Sequence, residues 1–209
     1  MSNHRFFAAF YDAVSRAADR PGLAERRRRL LSAAAGRVLE VGAGTGLNLA
    51  HYRDVDEVVA LEPDDAMRRR MEQRLGAAMV PIEVHATTLD DAPFPDNSFD
   101  TVVATLVLCS VPDLPAALGR IRRLLKPDGR VLFLEHVAGT GARLVLQRAK
   151  TPVWKRVNAG CHLNRDTAAA IRAAGFLITD IERHRIPANP FTGLTIQGVA
   201  RPHVREEVK

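Results

Sequence analysis

Short apolar runs alternate with stretches whose apolar residues recur every three or four positions. Residues 4 to 18 set Phe6, Phe7, Phe10, Tyr11 and Val14 at helical spacing. A second, basic helix is expected over 23 to 34, after the Pro21-Gly22 break. Arg37 to Val41 then reads as a strand running into a Gly-rich turn, followed by a helical segment from about Leu47 to Arg53 and a strand from Glu57 to Leu61. Pro63 suits the first turn of a charged helix from Asp64 to Leu75. The alternation continues with strand Val80 to His85, an acidic turn, strand Phe99 to Ala104, and a helix from Leu114 to Leu125 halted by Lys126-Pro-Asp-Gly129. Strand Arg130 to Glu135 follows.

Strands separated by helices at this interval imply βαβ units, hence an α/β fold with a doubly wound, mainly parallel, Rossmann-like sheet. After a helix over Asp166 to Ala174, two more runs, Phe176 to His184 and Thr195 to Ala200, follow with no helix between them. They complete seven strands and predict an antiparallel last strand. Residues 136–165 make a connection far longer than usual, expected to be an inserted lid or substrate wall. The reading is one domain over 1–209, with helices in 1–35 covering the ligand site.

A length of 209 residues at 46% hydrophobic content supports one sizeable core. No apolar run of membrane-spanning length occurs and the N-terminus lacks a signal-peptide pattern, so the chain reads as cytoplasmic, leaving peripheral membrane contact open. The net charge of +6 and the run Arg26 to Arg29 raise a nucleic-acid reading. No basic stripe interleaved with aromatics accompanies them, so no nucleic-acid partner is expected. Cys109 and Cys161 form neither a CxxC pair nor a zinc-ligand spacing, so neither a disulfide nor a metal site is expected.

The chemistry enters at Glu40-Val-Gly42-Ala-Gly44-Thr-Gly46, directly after a strand and before a helix. Glycines there let the backbone turn sharply and approach a ligand closely. A dinucleotide fingerprint needs a third glycine where Leu47 stands, which argues against a nicotinamide oxidoreductase. A carboxylate at Glu40 beside such a turn suits a small cationic ligand better. Glu62, closing the second strand, can accept both hydroxyls of a ribose.

VLEVGAGTG, LEP, PFPDNSFD and LLKPDGR, in this order, resemble the motif series of class I S-adenosylmethionine-dependent methyltransferases. The resemblance implies that S-adenosyl-L-methionine is the cofactor. It sets Glu40, Gly42, Gly44 and Gly46 along its methionine part, Glu62 on the ribose, and Thr88-Leu89 beside the adenine. Tyr11, Asn48, Pro63, Thr105 and Leu106 are implied as further cofactor neighbours, Tyr11 by closure of the first helix. The family often has aspartate at the Thr88 position, and a hydroxyl accepts more weakly. A narrower resemblance, carried by GTGLNLAHY, TLVLCSV, LEHVA, Trp154, Gly160-Cys-His-Leu-Asn-Arg165 and RPHV, is to the thiol S-methyltransferases of the mammalian methyltransferase-like group. No hydrophobic N-terminal anchor like that of the group is expected in this chain.

Methyl transfer from a sulfonium is an in-line displacement that requires no metal; the protein positions a nucleophile, excludes water and manages one proton. His136, at the C-terminal end of a strand, is the candidate catalytic residue, as general base or substrate hydrogen bond. Cys109, Ser110, Trp154, His162 and Arg165 are expected in the substrate pocket, Cys109 as wall rather than nucleophile, and Asn164 and Asp166 as caps for the following helix. The expected acceptor is a small, largely apolar molecule, first a thiol. Alternatives are O-, N- or C-methylation of a quinone, lipid or secondary metabolite, or cofactor binding without turnover. The sequence carries no signal for oligomeric state.

Overall fold

A computed structural model of the chain describes residues 22–185 and 194–203. The Phe-rich helix expected over 4 to 18, with Tyr11, lies outside the described residues. The elements are α1 (Leu23–Leu31), β1 (Arg37–Val41), a single 3₁₀ turn (Leu49–His51), β2 (Glu57–Leu61), α2 (Asp65–Leu75), β3 (Ile82–His85) and β4 (Phe99–Thr105). Then come α3 (Leu114–Leu124), β5 (Leu125–His136), α4 (Gly141–Val157), α5 (Thr167–Ala173), β6 (Phe176–Arg185) and β7 (Leu194–Pro202).

All seven strands form one sheet in the order β3-β2-β1-β4-β5-β7-β6. Every pairing from β3 to β5 is parallel, while β7 runs antiparallel to both β5 and β6. The expected architecture, a mainly parallel sheet with an antiparallel last strand, is the one observed. Strand residues alternate between two cores because side chains project to opposite faces with period two. Leu39, Val102, Val131 and Phe133 face α3 and α5; Val38, Val58, Val103, Leu132 and Leu134 face α1, the 3₁₀ turn and Met71 of α2. Both faces are covered, which is why the central strands read as unbroken apolar runs.

Some boundaries differ from expectation, each for a local reason. The segment from Leu47 to Arg53 is helical only at Leu49–His51. Pro63 stands outside α2, because Asp64 is its cap: the Asp64 carboxylate accepts from Ala66 N and Met67 N. The caps of α3 and α5 are likewise aspartates, Asp113 and Asp166. The insertion contains a 17-residue helix, α4, that hydrophobic periodicity does not reveal. Polar side chains tie it to the segment after β5 and to its own return loop. Gln147 is buried, accepts from Gly139 N at 2.7 Å and donates to Val137 O at 3.3 Å, while Thr151 Oγ1 bonds Gln147 O and Asn164. Asn164 therefore joins the insertion to itself rather than capping α5.

Candidate active site

The chain leaves β1 and β4 for opposite neighbours in the sheet, so their C-terminal ends border a crevice, the usual ligand position in open α/β sheets. The turn after β1 forms its floor. Gly42, Gly44 and Gly46 have φ of 61°, 60° and 78°, a region costly for any residue with a side chain. Their surroundings separate their roles. A Cβ on Gly42 would stand 2.5 Å from Val107 Cγ2, and one on Gly46 2.8 Å from Met71 Cγ, so these two permit close packing. Over Gly44 the nearest atom is the Gly42 carbonyl at 3.9 Å, and a Cβ would intrude on space open to a ligand.

Below the turn lies a buried polar network joining both central strands to α1. Glu40 accepts from Asn48 Nδ2 at 2.8 Å and from the Tyr52 hydroxyl at 2.9 Å. Thr105 Oγ1 accepts from Asn48 Nδ2 at 2.9 Å and from Arg27 Nη1 at 3.2 Å, and Arg27 Nη1 also reaches Asn48 Oδ1 at 2.8 Å. Burial pushes the Glu40 carboxyl up to about 7, against the pull of its hydrogen bonds to Tyr52 and Asn48 and the charge of Arg27. Arg27 is 3% exposed, yet its Nε and Nη2 have no hydrogen-bond partner among the described residues. A buried guanidinium edge with unspent donors is costly unless an anion meets it. Sequence reasoning missed Arg27 and Tyr52. The signal for Arg27 was present: it shares the buried stripe of α1 with Leu23, Leu30 and Leu31, where an apolar residue is the rule.

Glu62 is buried at the mouth of the same turn and accepts from Gly44 N at 2.8 Å through one oxygen and from Asp64 N at 2.9 Å through the other. Burial raises its pKa. A carboxylate has about four lone-pair sites, so each oxygen keeps capacity for one ribose hydroxyl. Leu89 is buried, whereas the exposed Thr88 hydroxyl donates to Asp91 at 2.8 Å. Pro63 is exposed beside Glu62. This set fits S-adenosylmethionine: a carboxylate for the positive end of its amino acid, an unsatisfied guanidinium for the negative end, an open glycine between them and a forked acceptor for a diol.

The second half of the site follows β4. Leu106 has φ of 57°, rare for a residue with a side chain, and turns the chain sharply into residues 107–111. Glu135, fully buried at the end of β5, fixes that loop by accepting from the amides of Val107 at 3.0 Å, Leu108 at 2.9 Å and Cys109 at 3.2 Å. Burial raises Glu135 to about 7 despite these three bonds. From the opposite side Arg165 donates to Leu108 O and Val111 O, each at 2.6 Å. The His162 amide donates to Cys109 O at 2.8 Å, with its ring Nδ1 3.2 Å from the same oxygen. Burial and the nearby Arg165 lower the His162 pKa. Both side chains are therefore occupied in holding the loop.

The result brings together residues that sequence spacing kept apart. One ligand atom each from Cys109, His136 and Cys161 lies within 4.8 Å of the others. Both cysteines are buried and free. They share charge unequally: the Cys109 thiol, with help from His136 and Trp154, lowers Cys161, while Cys161 and burial raise Cys109. Ser110 Oγ stands 3.6 Å from Cys109 Sγ, Trp154 lies against Cys161, and Leu163, two positions after Cys161, is buried. His136 Nδ1 and Trp154 Nε1 are buried and, among the described residues, meet no oxygen or nitrogen acceptor or donor, both side chains lying against Cys161.

A family model described as a methyltransferase domain matches residues 39–133, from β1 to β5. The thiol S-methyltransferase TMT1B of Homo sapiens is 34% identical over 165 residues, covering 75% of this chain and 67% of that protein. The chain belongs to the class I S-adenosylmethionine-dependent methyltransferases. This methyltransferase spans about two thirds of the length of the thiol S-methyltransferases it matches. It is also 32% identical to the ubiquinone/menaquinone biosynthesis C-methyltransferase UbiE of Shewanella oneidensis, over 63% of this chain and 49% of that one. In fold it is similar to an S-adenosylmethionine-dependent methyltransferase from Mesorhizobium loti, with a TM-score of 0.64 at 20% identity, covering 86% and 98% of the two chains. Among the described residues, no helix is long and apolar enough to cross a membrane.

Proposed function

We propose that this methyltransferase methylates the thiol of a small, largely apolar acceptor. The observation that carries the reading is the convergence of the LCSV, EHVA and GCHLNR segments, which bear the resemblance to thiol S-methyltransferases, at one point beside Thr105 and Leu106. The relatives named for thiol methylation support the same acceptor.

When bound, S-adenosylmethionine supplies an activated methyl on a sulfonium, ready for in-line displacement. Glu40 and Arg27 orient its amino-acid end, and Glu62 holds its ribose. Leu106 and Leu163 exclude water, which favours displacement by a soft sulfur nucleophile over hydrolysis. His136 hydrogen-bonds the acceptor or takes its proton. A thiol with an ordinary pKa near ~8.5 is only a few per cent thiolate at neutral pH, so even modest help at this position speeds reaction.

Purified protein supplied with methyl-labelled cofactor and a panel of alkyl thiols should yield thioethers. Failure on every thiol would remove the reading. Methylation of a quinol in the same panel would favour the second reading, C- or O-methylation of a quinone-like ring, which the similarity to UbiE supports.

A further inference from the structure

We propose that Cys109, His136 and Cys161 form a three-ligand site for a zinc-class ion, with its fourth coordination position open to the acceptor thiol. Among the described residues this is the one place where three side chains with metal-binding atoms gather so closely. A tetrahedral ion about 2.3 Å from sulfur and about 2.0–2.1 Å from nitrogen needs donors roughly 3.5–3.8 Å apart. The observed separations of at most 4.8 Å close to that with rotamer shifts of about an ångström.

Three further features fit an ion. Two thiolates and a neutral imidazole balance a divalent charge, giving a neutral centre in surroundings where Cys109 and Cys161 are 1% and 6% exposed. Soft sulfur with imidazole selects zinc over oxygen-seeking cations. The ligands are also held from behind. Glu135 grips the amides of the Cys109 loop, and the amide next to Cys161, that of His162, bonds the Cys109 carbonyl. The Trp154 N–H, buried, faces the Cys161 sulfur. Such outer support is what fixes ligand geometry around metals.

Three protein ligands leave one position free, the arrangement of catalytic rather than structural zinc. An acceptor thiol entering it forms a sulfur–metal bond as its S–H bond breaks, and the proton passes to solvent. The ion then stabilises the thiolate, and His136 serves as ligand instead of proton acceptor. This role rests on the thiol reading above; the ion site does not.

Metal-stripped full-length protein titrated with Co²⁺ tests the site directly. One equivalent should bind and develop sulfur-to-cobalt charge-transfer absorption, which Zn²⁺ abolishes by competition. Adding an alkanethiol should shift the ligand-field bands. Cys161→Ser and His136→Gln should each lose stoichiometric binding while keeping the wild-type far-ultraviolet dichroism and binding of S-adenosylhomocysteine, which shows that they fold. Trp154→Phe should weaken Co²⁺ binding by about tenfold. Absence of sulfur–cobalt absorption, or absorption unchanged in Cys161→Ser, would overturn the proposal, as would bands indifferent to thiol. Stoichiometric ion binding with no thiol turnover would leave the metal site standing and remove the thiol acceptor.

Discussion

At the end of β1, Glu40, Asn48 and Tyr52 lie within twelve positions of one another and complete their network through Thr105 of β4 and Arg27 of α1. At the ends of β4 and β5, Cys109, His136 and Cys161 come from three distant segments held together by a buried glutamate, an arginine and backbone amides. The first region needs only the central strands, the turn after β1 and α1. The second exists only once the insertion has docked. Cofactor binding should therefore survive damage to the acceptor region, whereas acceptor chemistry depends on contacts far from it in sequence.

The largest effect expected on that comparison comes from His136→Gln. Turnover should fall at least about 10²-fold while cofactor affinity, measured by calorimetry, stays within about twofold of wild type. A matching loss of cofactor binding would join the two regions into one. Arg27→Met attacks the other side. On the proposed role of Arg27 at the cofactor's carboxylate, removing this charged donor should cost about 2–3 kcal/mol, roughly 30–150-fold in affinity. Unchanged affinity would show that α1 does not contribute to the site.

The pH dependence of cofactor binding follows from Glu40, which faces Arg27, Tyr52 and Glu62 in its network. Its carboxyl is raised from 4.5 to about 7 in the ligand-free protein, so it holds a proton at pH 6. The ligand's positive charge favours the carboxylate, so binding below pH 7 releases a proton and affinity rises with pH up to about 7, then levels. Calorimetry at pH 6 in two buffers of different ionisation enthalpy should detect that proton, and Glu40→Gln should abolish it. The linkage acts oppositely on folding: a carboxyl with a raised folded pKa withdraws stability as pH climbs from 4.5 to about 7. The melting temperature of the ligand-free protein should fall across that window. The smallest effect is expected from Thr88→Ala, whose hydroxyl is already engaged with Asp91 and whose loss should change cofactor affinity by no more than about threefold.

The two regions also differed in how far the sequence revealed them. Glu40, the three glycines and Glu62 sit where strand periodicity ends, and local spacing is enough to find them. Arg27 was overlooked because a basic run reads as a solvated face, and only its phase against Leu23 and Leu30 exposes it. Helix α4 went unseen because it docks through Gln147 and Thr151 and carries Pro152 in its interior, which blurs both apolar periodicity and helix propensity. The meeting of Cys109 with Cys161 depends on that docking, so no local pattern could have announced it. His162 and Arg165 look like pocket residues by composition, but their donors go to loop carbonyls that the topology brings near.

The most direct test of the account is to follow a labelled methyl group from S-adenosylmethionine onto an alkanethiol, in wild-type protein and in His136→Gln, with the product identified by mass spectrometry. Thioether formation by the wild type, lost in the variant while cofactor binding persists, is the predicted result. Tight cofactor binding by the wild type with no methyl reaching any thiol would contradict it.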